Sequence, residues 1–175
     1  MAPDPLQVFW DTKAITDKVG LWCRIVDTRD LVRMHEVFDK GIFWDYGKGT
    51  TEQGLENITQ RIRTHLVDGT YCGATQHHLA NMRVDVDGDD AESEAYFLGA
   101  HAGTGSNEGK TLLQWGNYND FWKRRPEGWR CVKRIYQIDI SDGPLEIVYG
   151  SAPPGSWRED DSRSLRAASK TGPGA

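Results

Sequence analysis

The sequence is poor in cysteine, in basic charge and in long apolar runs, and each shortage excludes a class of protein. Its three cysteines are odd in number and include no CxxC pair, which predicts reduced thiols in place of a disulfide framework or a zinc site. A net charge of -5 leaves no basic excess for binding nucleic acid. No apolar run approaches the roughly 20 residues of a membrane-spanning helix, and the first residues lack the features of a secretory signal. We therefore expect a cytoplasmic protein with neither a nucleic-acid nor a membrane partner.

Aromatic residues are plentiful and supply an ordinary globular core. The 175 residues include 7 Trp, 6 Tyr and 5 Phe, and this length fits one domain of typical size. Residues 150–175 are rich in Ser, Pro, Gly and charge and contain almost no aliphatic side chains. We therefore expect one domain over residues 1–149 and a flexible C-terminal tail over 150–175, with Trp157 as the one tail residue suited to docking on the domain.

Three helices are predicted in the first part of the chain. The first spans residues 11–27, where apolar residues recur at helical spacing. A short second helix is expected over residues 30–38, and an aromatic strand over 42–46 follows it. The third helix would be capped by Thr50 or Thr51. Its buried stripe consists of Leu55, Ile58, Ile62 and Leu66.

From Tyr71 onward the apolar residues alternate with a period of two, as in β-strands. Asp87-Gly88 stands between two alternating runs and predicts a tight hairpin. Further strands are expected over residues 91–101, 111–123 and 129–140. Helices followed by an antiparallel meander indicate an α+β fold and not a parallel βαβ sheet.

Two adjacent histidines, His77 and His78, open the first long strand. Neighbouring strand residues point to opposite faces, so only one of the two can enter a pocket and the pair is poorly placed to chelate one metal. The apolar residues further along the strand have even numbers, as His78 does, so in an unbroken strand they would point to the same face as His78. His77 can therefore face inward only if the strand twists or bulges between residues 78 and 82, or if its two ends bury different faces. Otherwise His78 is the histidine that enters the pocket. A structural role is the alternative for either histidine.

Asp27 and Arg134 are charged residues at positions where the pattern predicts burial. Asp27 follows the apolar stripe of the first helix, where a carboxylate is partly desolvated; alternatively it caps the second helix. Arg134 shares one face of the last strand with apolar residues. An inward guanidinium needs an anionic partner. That partner is either an acid on the helices or an anion bound in a cavity.

In order and spacing, several segments resemble the SnoaL-like branch of the nuclear transport factor two-like superfamily. They are the helix ending in Val26-Asp27, the strand through Trp44-Asp45, the run from His77 to Asp89, the run from Tyr118 to Arg125, and the segment from Gly128 to Arg134. The resemblance covers about residues 9 to 140. It implies a cone-shaped α+β barrel in which three helices pack on a strongly curved antiparallel sheet around a cavity. Homodimers or homotrimers formed through the outer face of the sheet are also implied.

Within this superfamily the resemblance is to cofactor-free lyases, namely scytalone dehydratase, bile acid dehydratase and hexachlorocyclohexane dehydrochlorinase. It implies no cofactor and no metal, with Asp27 and His77 as a general-base pair and Arg134 as a stabiliser of the leaving anion. Several dehydratases carry a tyrosine about five residues before the aspartate. Trp22 stands there in this chain, which removes one candidate proton donor.

The expected activity is elimination, dehydration or retro-aldol cleavage of a small hydrophobic cyclic or aromatic substrate. Aromatic residues together with His78 are candidates for the pocket wall, although each aromatic residue also suits a plain core. An isomerase or cyclase of the same fold shares the first step. A non-catalytic ligand-binding protein is a competing hypothesis, and a β-type subunit of a ring-hydroxylating oxygenase is a third. The candidate pocket residues are Trp22, Trp44, Tyr46, His78, Phe97 and Tyr118.

Overall fold

A computed structural model describes residues 4–47 and 49–151. Within those ranges, no helix has the length and apolarity needed to cross a membrane. The tail expected over residues 150–175 lies almost entirely outside the described residues, as does Trp157.

The first helix, α1, spans Pro5–Asp27 and so begins six residues before the predicted start. Asp4 caps it by accepting a hydrogen bond from the backbone N–H of Leu6, and proline occupies the first helical position. The prediction missed the start of this helix because Leu6 and Phe9 are exposed and do not continue the buried apolar stripe. The expected stripe is buried and consists of Ile15, Val19, Trp22 and Val26.

The second helix is shorter than predicted and the strand after it is longer. A 3-10 helix covers Leu31–Glu36, and strand β1 then runs over Phe38–Asp45. A short strand, β2, spans Thr51–Gln53. Thr51 therefore belongs to a strand, and neither threonine caps the third helix as predicted. The N-cap of α2, Leu55–Leu66, is Gly54 at a φ of 90°, a backbone conformation that favours glycine.

Four long strands form the rest of the sheet. They are β3 (Cys72–Asp87), β4 (Asp90–Gly103), β5 (Thr111–Arg125) and β6 (Gly128–Asp142). The hairpin predicted at Asp87-Gly88 is confirmed, since Asp87 pairs with Asp90. A short helix, α3, covers Glu146–Tyr149 and has no counterpart in the sequence prediction.

The sheet has the order β2-β1-β6-β5-β4-β3 and does not close on itself. All its pairs are antiparallel except β1 with β6, which are parallel. The helices cover one face of this curved sheet, and the hydrophobic core lies between the helices and that face. The predicted α+β cone is confirmed, with β3 as an edge strand that places its inner residues beside the end of α1.

Candidate active site

Asp27 and His77 meet where the end of α1 lies against β3. The Nδ1 atom of His77 is 2.6 Å from Oδ1 of Asp27. The backbone N–H of His77 donates to the other carboxylate oxygen at 2.9 Å, and the hydroxyl of Thr75 donates to Oδ1 at 2.9 Å. A carboxylate with these three donors is fixed in position and orients the imidazole.

His77 faces inward because β3 contains a bulge. The register of β3 against β4 shifts between Ala80 and Arg83, and Asn81 has a left-handed φ of 51°. Before the shift the inward residues have odd numbers, and after it they have even numbers. Asparagine tolerates this conformation better than most residues. The bulge required for an inward His77 therefore lies within the predicted interval.

Arg29 forms a second layer behind this pair. Its backbone is left-handed, with a φ of 57°. Its Nη1 donates to the Thr75 hydroxyl at 2.6 Å, its Nη2 to the carbonyl of Gly73 at 2.6 Å, and its Nε to the carbonyl of Leu66 at 3.1 Å. One guanidinium thus joins α2 and β3 to the segment that follows Asp27.

The carboxyl group of Asp27 is ionised at neutral pH. Burial alone would raise its pKa, but hydrogen bonds from His77 and Thr75 together with the charge of His77 hold the pKa below its usual value. An ionised carboxylate only accepts hydrogen bonds, so Nδ1 of His77 carries the hydrogen. In the form of His77 that has a single ring hydrogen, the nitrogen without a hydrogen is consequently Nε2.

A second histidine, His101, lies beside the pair on β4. The rings of His77 and His101 are perpendicular, with centroids 5.5 Å apart. Burial and the nearby charge of His77 lower the pKa of His101 to about 4. Its Nδ1 donates to the carbonyl of Leu112 at 3.3 Å. Sequence reasoning missed His101, although its parity on β4, shared with the inward-facing Phe97, could have revealed it.

Gly99 gives the two histidine rings the space they occupy. It is paired with His77 across β3 and β4. A Cβ atom at this position would lie 3.2 Å from Nε2 of His77 and 3.0 Å from Cε1 of His101. Any larger residue would crowd the nitrogen that is free to take a proton.

His77 lies on the wall of a cavity of about 280 Å³. Four of the predicted pocket residues, Trp22, Trp44, Tyr46 and Tyr118, line it. Burial raises the pKa of Tyr46 and of Tyr118, so both phenols stay neutral. Several lining residues were not predicted: Arg61, His65, His101, Gln114, Tyr136 and Tyr149.

Two predicted pocket residues lie elsewhere. His78 is exposed on the outer face of β3, paired with Leu98, because side chains alternate along a strand and His77 takes the inner face. Phe97 is buried behind the cavity wall. Its ring stacks on those of Tyr118 and Tyr136 at centroid distances of 4.6 and 5.4 Å, so it supports the lining residues without joining them.

Arg134 faces inward as predicted but does not line the cavity. It is fully buried and forms two 2.6 Å hydrogen bonds with the carboxylate of Asp120. This acid lies on β5, directly opposite Arg134 in the register, and not on a helix. The guanidinium packs on the rings of Trp22, Trp44 and Tyr118 at 5.1, 5.0 and 4.2 Å, and all three rings line the cavity. The ion pair therefore lies directly behind an aromatic wall.

In the described part of the chain, no cluster of three or more His, Cys, Asp or Glu side chains is arranged to hold a metal ion.

Comparison with known proteins supports the resemblance found in the sequence. Residues 7–135 match the family described as SnoaL-like domain. No curated protein matches the chain.

Solved structures of the same fold include enzymes. A hexachlorocyclohexane dehydrochlorinase, type 3, from Novosphingobium barchaimii is 19% identical, with 86% of this chain and 100% of that chain covered and a TM-score of 0.70. A candidate scytalone dehydratase from Novosphingobium aromaticivorans is 17% identical over 84% of this chain and 95% of that one, with a TM-score of 0.69. A nuclear transport factor two-like superfamily protein from Salmonella enterica is 20% identical over 79% and 98%, with a TM-score of 0.67. At these identities the likeness establishes the fold alone.

Proposed function

Because the chain belongs to the SnoaL-like domain family, we propose that it is a cofactor-independent lyase for a small hydrophobic cyclic or aromatic substrate. The observation that carries the proposal is the 2.6 Å contact between His77 Nδ1 and Asp27 Oδ1 at the wall of an aromatic cavity. Dehydratases and dehydrochlorinases share this fold. A partly buried carboxylate–imidazole pair at the wall of a cavity is an arrangement suited to general-base catalysis.

In the proposed reaction, Nε2 of His77 takes a proton from a substrate carbon. The electron pair of the broken C–H bond forms a C=C double bond, and the leaving group departs from the neighbouring carbon with its own bonding pair. Asp27 stabilises the imidazolium that forms. The proton then returns from Nε2 to the leaving group or to water. A positioned base of this kind contributes roughly 10²–10⁴-fold to a rate.

The leaving group receives no direct contact from Arg134 in this proposal. The charge of Arg134 is offset by Asp120 at 2.6 Å, and three aromatic rings separate it from the cavity. We assign it a positioning role, in which the ion pair fixes the rings that contact substrate. Anion stabilisation therefore depends on groups that do line the cavity, such as the amide of Gln114.

Deuterium exchange tests the chemistry without knowledge of the natural substrate. Cyclic β-hydroxy ketones are incubated with the protein in D2O, and mass spectrometry follows both deuterium uptake at the α-carbon and loss of water. Wild type is expected to catalyse loss of water, with or without exchange at the α-carbon, and His77→Gln to abolish it. His78→Gln, the neighbouring residue on the outer face, is the matched control and should react like wild type. Equal rates for His77→Gln and wild type would reject the assignment and favour a binding protein.

Exchange without loss of water would identify an isomerase or cyclase, which shares the first step. The proposed lyase requires the second bond to break as well. The two products differ in mass, so one experiment separates them.

We also propose that the outer face of the sheet joins copies of this chain into a homo-oligomer. Leu98, Trp115 and Ile140 lie side by side across β4, β5 and β6, and Ile140 is 60% exposed. An apolar row of this kind is typical of an interface. Light scattering should give a dimer or trimer for wild type and a smaller species for Trp115→Glu. A monomeric wild type would contradict the proposal, and a requirement for a different, large partner would favour the oxygenase-subunit hypothesis.

A further inference from the structure

The cavity has a cationic end that the proposed proton transfer does not use. Arg61 of α2 lines the cavity, and its guanidinium carbon lies 4.5 Å from the ring centroid of Tyr46. Among the described residues, no carboxylate lies within ion-pair distance of Arg61, and its Nε is buried without a hydrogen-bond partner. Glu52 on β2 acts on Tyr46 through its charge but makes no ion pair with Arg61. The guanidinium of Arg61 therefore packs on the ring of Tyr46 and has no carboxylate partner among the described residues.

Two further buried donors belong to the same group. The hydroxyl of Tyr46 and the indole Nε1 of Trp44 have no partner among the described residues. The Trp44 and Tyr46 rings are stacked with centroids 5.5 Å apart, so the three donors belong to adjacent side chains. Buried polar groups in native proteins are nearly always hydrogen-bonded, and an exception marks a missing partner. Here every unpartnered group can donate a hydrogen bond, so an acceptor is the partner that satisfies all three.

The local electrostatics favour an acceptor with negative charge. His65 lies one helical turn from Arg61 on α2 and also lines the cavity. Burial and the charge of Arg61 lower the pKa of His65, so it is neutral and leaves Arg61 as the cation of this wall. An uncompensated guanidinium is costly in a partly buried site. A carboxylate matches its planar fork better than any neutral acceptor.

Arg61 and the proposed base belong to one cavity, since Arg61 and His77 both line it. Helix α2 ends at Leu66, whose carbonyl accepts a hydrogen bond from Arg29 near Asp27. A ligand held by the Arg61 guanidinium therefore shares the cavity with the ring of His77.

We propose that Arg61, assisted by Tyr46 and Trp44, binds a carboxylate of the substrate, so that the substrate class is a small cyclic carboxylic acid. This inference rests on the proposed lyase function for the site and adds the identity of one substrate group. The carboxylate occupies the α2 end of the cavity, and the ring extends toward Nε2 of His77.

Calorimetric titration with benzoate and with benzamide tests this inference, because the two probes share a ring and differ in charge. Benzoate is expected to bind and benzamide to bind more weakly. Arg61→Gln should weaken benzoate binding about tenfold or more, the factor supplied by a charge-assisted hydrogen bond, and should leave benzamide almost unchanged. Tyr46→Phe should weaken benzoate binding by a smaller factor.

Arg63→Gln is the matched control, because Arg63 lies on the same helix with its side chain 49% exposed. It should bind benzoate like wild type. Arg61→Lys keeps the charge, so it should recover part of the lost affinity and show that the loss does not reflect unfolding. Equal binding of the two probes, equal behaviour of Arg61→Gln and Arg63→Gln, or no benzoate binding at about 10 mM would each overturn the inference.

The binding test is independent of turnover. Benzoate carries no leaving group, so its binding to wild type is measured whether or not the protein catalyses exchange. If benzoate binding depends on Arg61 while deuterium exchange fails, the lyase proposal alone is rejected. If exchange depends on His77 while benzoate and benzamide bind equally, the carboxylate site alone is rejected.

Discussion

His77 and Asp27 are 50 positions apart in the sequence and are joined by a 2.6 Å hydrogen bond between Nδ1 and Oδ1. The side chain of His77 is 9% exposed and that of Asp27 is 20% exposed. The pair is therefore partly shielded from water, and His77 contributes to the cavity wall. This contact and the groups that hold it in place can each be tested by substitution.

Asp27→Asn should remove the charge that stabilises the imidazolium while keeping nearly the same shape. We expect kcat in the exchange assay to fall by roughly 10²–10⁴-fold. The melting temperature should stay close to that of wild type. A folded variant with near-wild-type kcat would contradict a role for this carboxylate in the reaction.

Thr75→Val should weaken the site through Asp27, since the Thr75 hydroxyl accepts from Arg29 and donates to Oδ1 of Asp27. Without this donor the Asp27 carboxylate should attract the shared proton more strongly and stabilise the imidazolium more, so the Asp27–His77 pair should take up a proton, and lose activity, at a higher pH as the solution is acidified. We expect kcat to fall about tenfold, corresponding to one hydrogen bond to a charged group. The pH–rate profile is the measurement.

Thr75→Ser is the control for this prediction, because it keeps the hydroxyl and removes only a methyl group. Its pH–rate profile should coincide with that of wild type. If Thr75→Val and Thr75→Ser have the same profile, the hydroxyl does not act on Asp27.

His101 should make the folded protein sensitive to mild acid. Its folded pKa is about 4, so the unfolded chain, with an ordinary histidine pKa near 6.5, binds this proton first. Stability should therefore fall as the pH drops from about 6.5 to about 4 and change no further below that, by about 3 kcal/mol for this one group.

Urea unfolding measured across this pH range tests the role of His101. His101→Phe should flatten the dependence, leaving a smaller contribution from His65, whose pKa is also lowered. An unchanged slope in His101→Phe would assign the acid sensitivity to other groups.

Asp11 should be a major determinant of stability far from the site. Its side chain is 6% exposed and accepts two hydrogen bonds from Arg124, at 2.8 and 2.7 Å, and one from Trp129 at 2.9 Å. Asp11→Ala leaves the buried indole N–H of Trp129 without its acceptor, whereas Arg124 keeps its ion pair with Asp89, so the substitution should lower the free energy of unfolding by about 2 kcal/mol. The exposed pair Lys13–Asp17 provides the control: Asp17→Ala should cost less than about 1 kcal/mol.

Asp11 also makes the stability depend on pH, but it contributes in its charged form, whereas His101 contributes in its neutral form. Hydrogen bonds from Arg124 lower the pKa of Asp11 to about 2 from an ordinary 3.8. Its contribution to stability is therefore complete above 3.8 and lost as the pH falls through about 2. Asp11→Ala should abolish this acid limb in urea titrations, and a limb that persists would contradict the assignment.

The sequence predicted the elements whose apolar period continues without interruption. The helical stripe of α1 and the hairpin at Asp87-Gly88 are examples. Periodicity could not decide between His77 and His78, because the decision depends on one residue, Asn81, adopting a left-handed backbone. The pattern of apolar residues does not reveal this conformation. Because the bulge changes which residues face inward, the apolar residues after it wrongly favour His78.

Contacts between distant segments were the least predictable part of the site. Alternation along β6 indicated that Arg134 faces inward, but not that Asp120 would stand opposite it, since the register of β5 and β6 is set by their bulges. Similarly, Arg61 was predicted only as a residue of the third helix. Its place in the cavity wall depends on how α2 packs over Tyr46, which no local pattern encodes.

The tautomer of His77 tests the central claim most directly. Long-range ¹H–¹⁵N correlation spectra of the histidine side chains identify which ring nitrogen carries the hydrogen at neutral pH. We predict a His77 that is protonated on Nδ1 and unprotonated on Nε2 in wild type, with this preference lost in Asp27→Asn. A His77 protonated on Nε2 in wild type would contradict the account, because the nitrogen that does not contact Asp27 could then take no proton from a substrate.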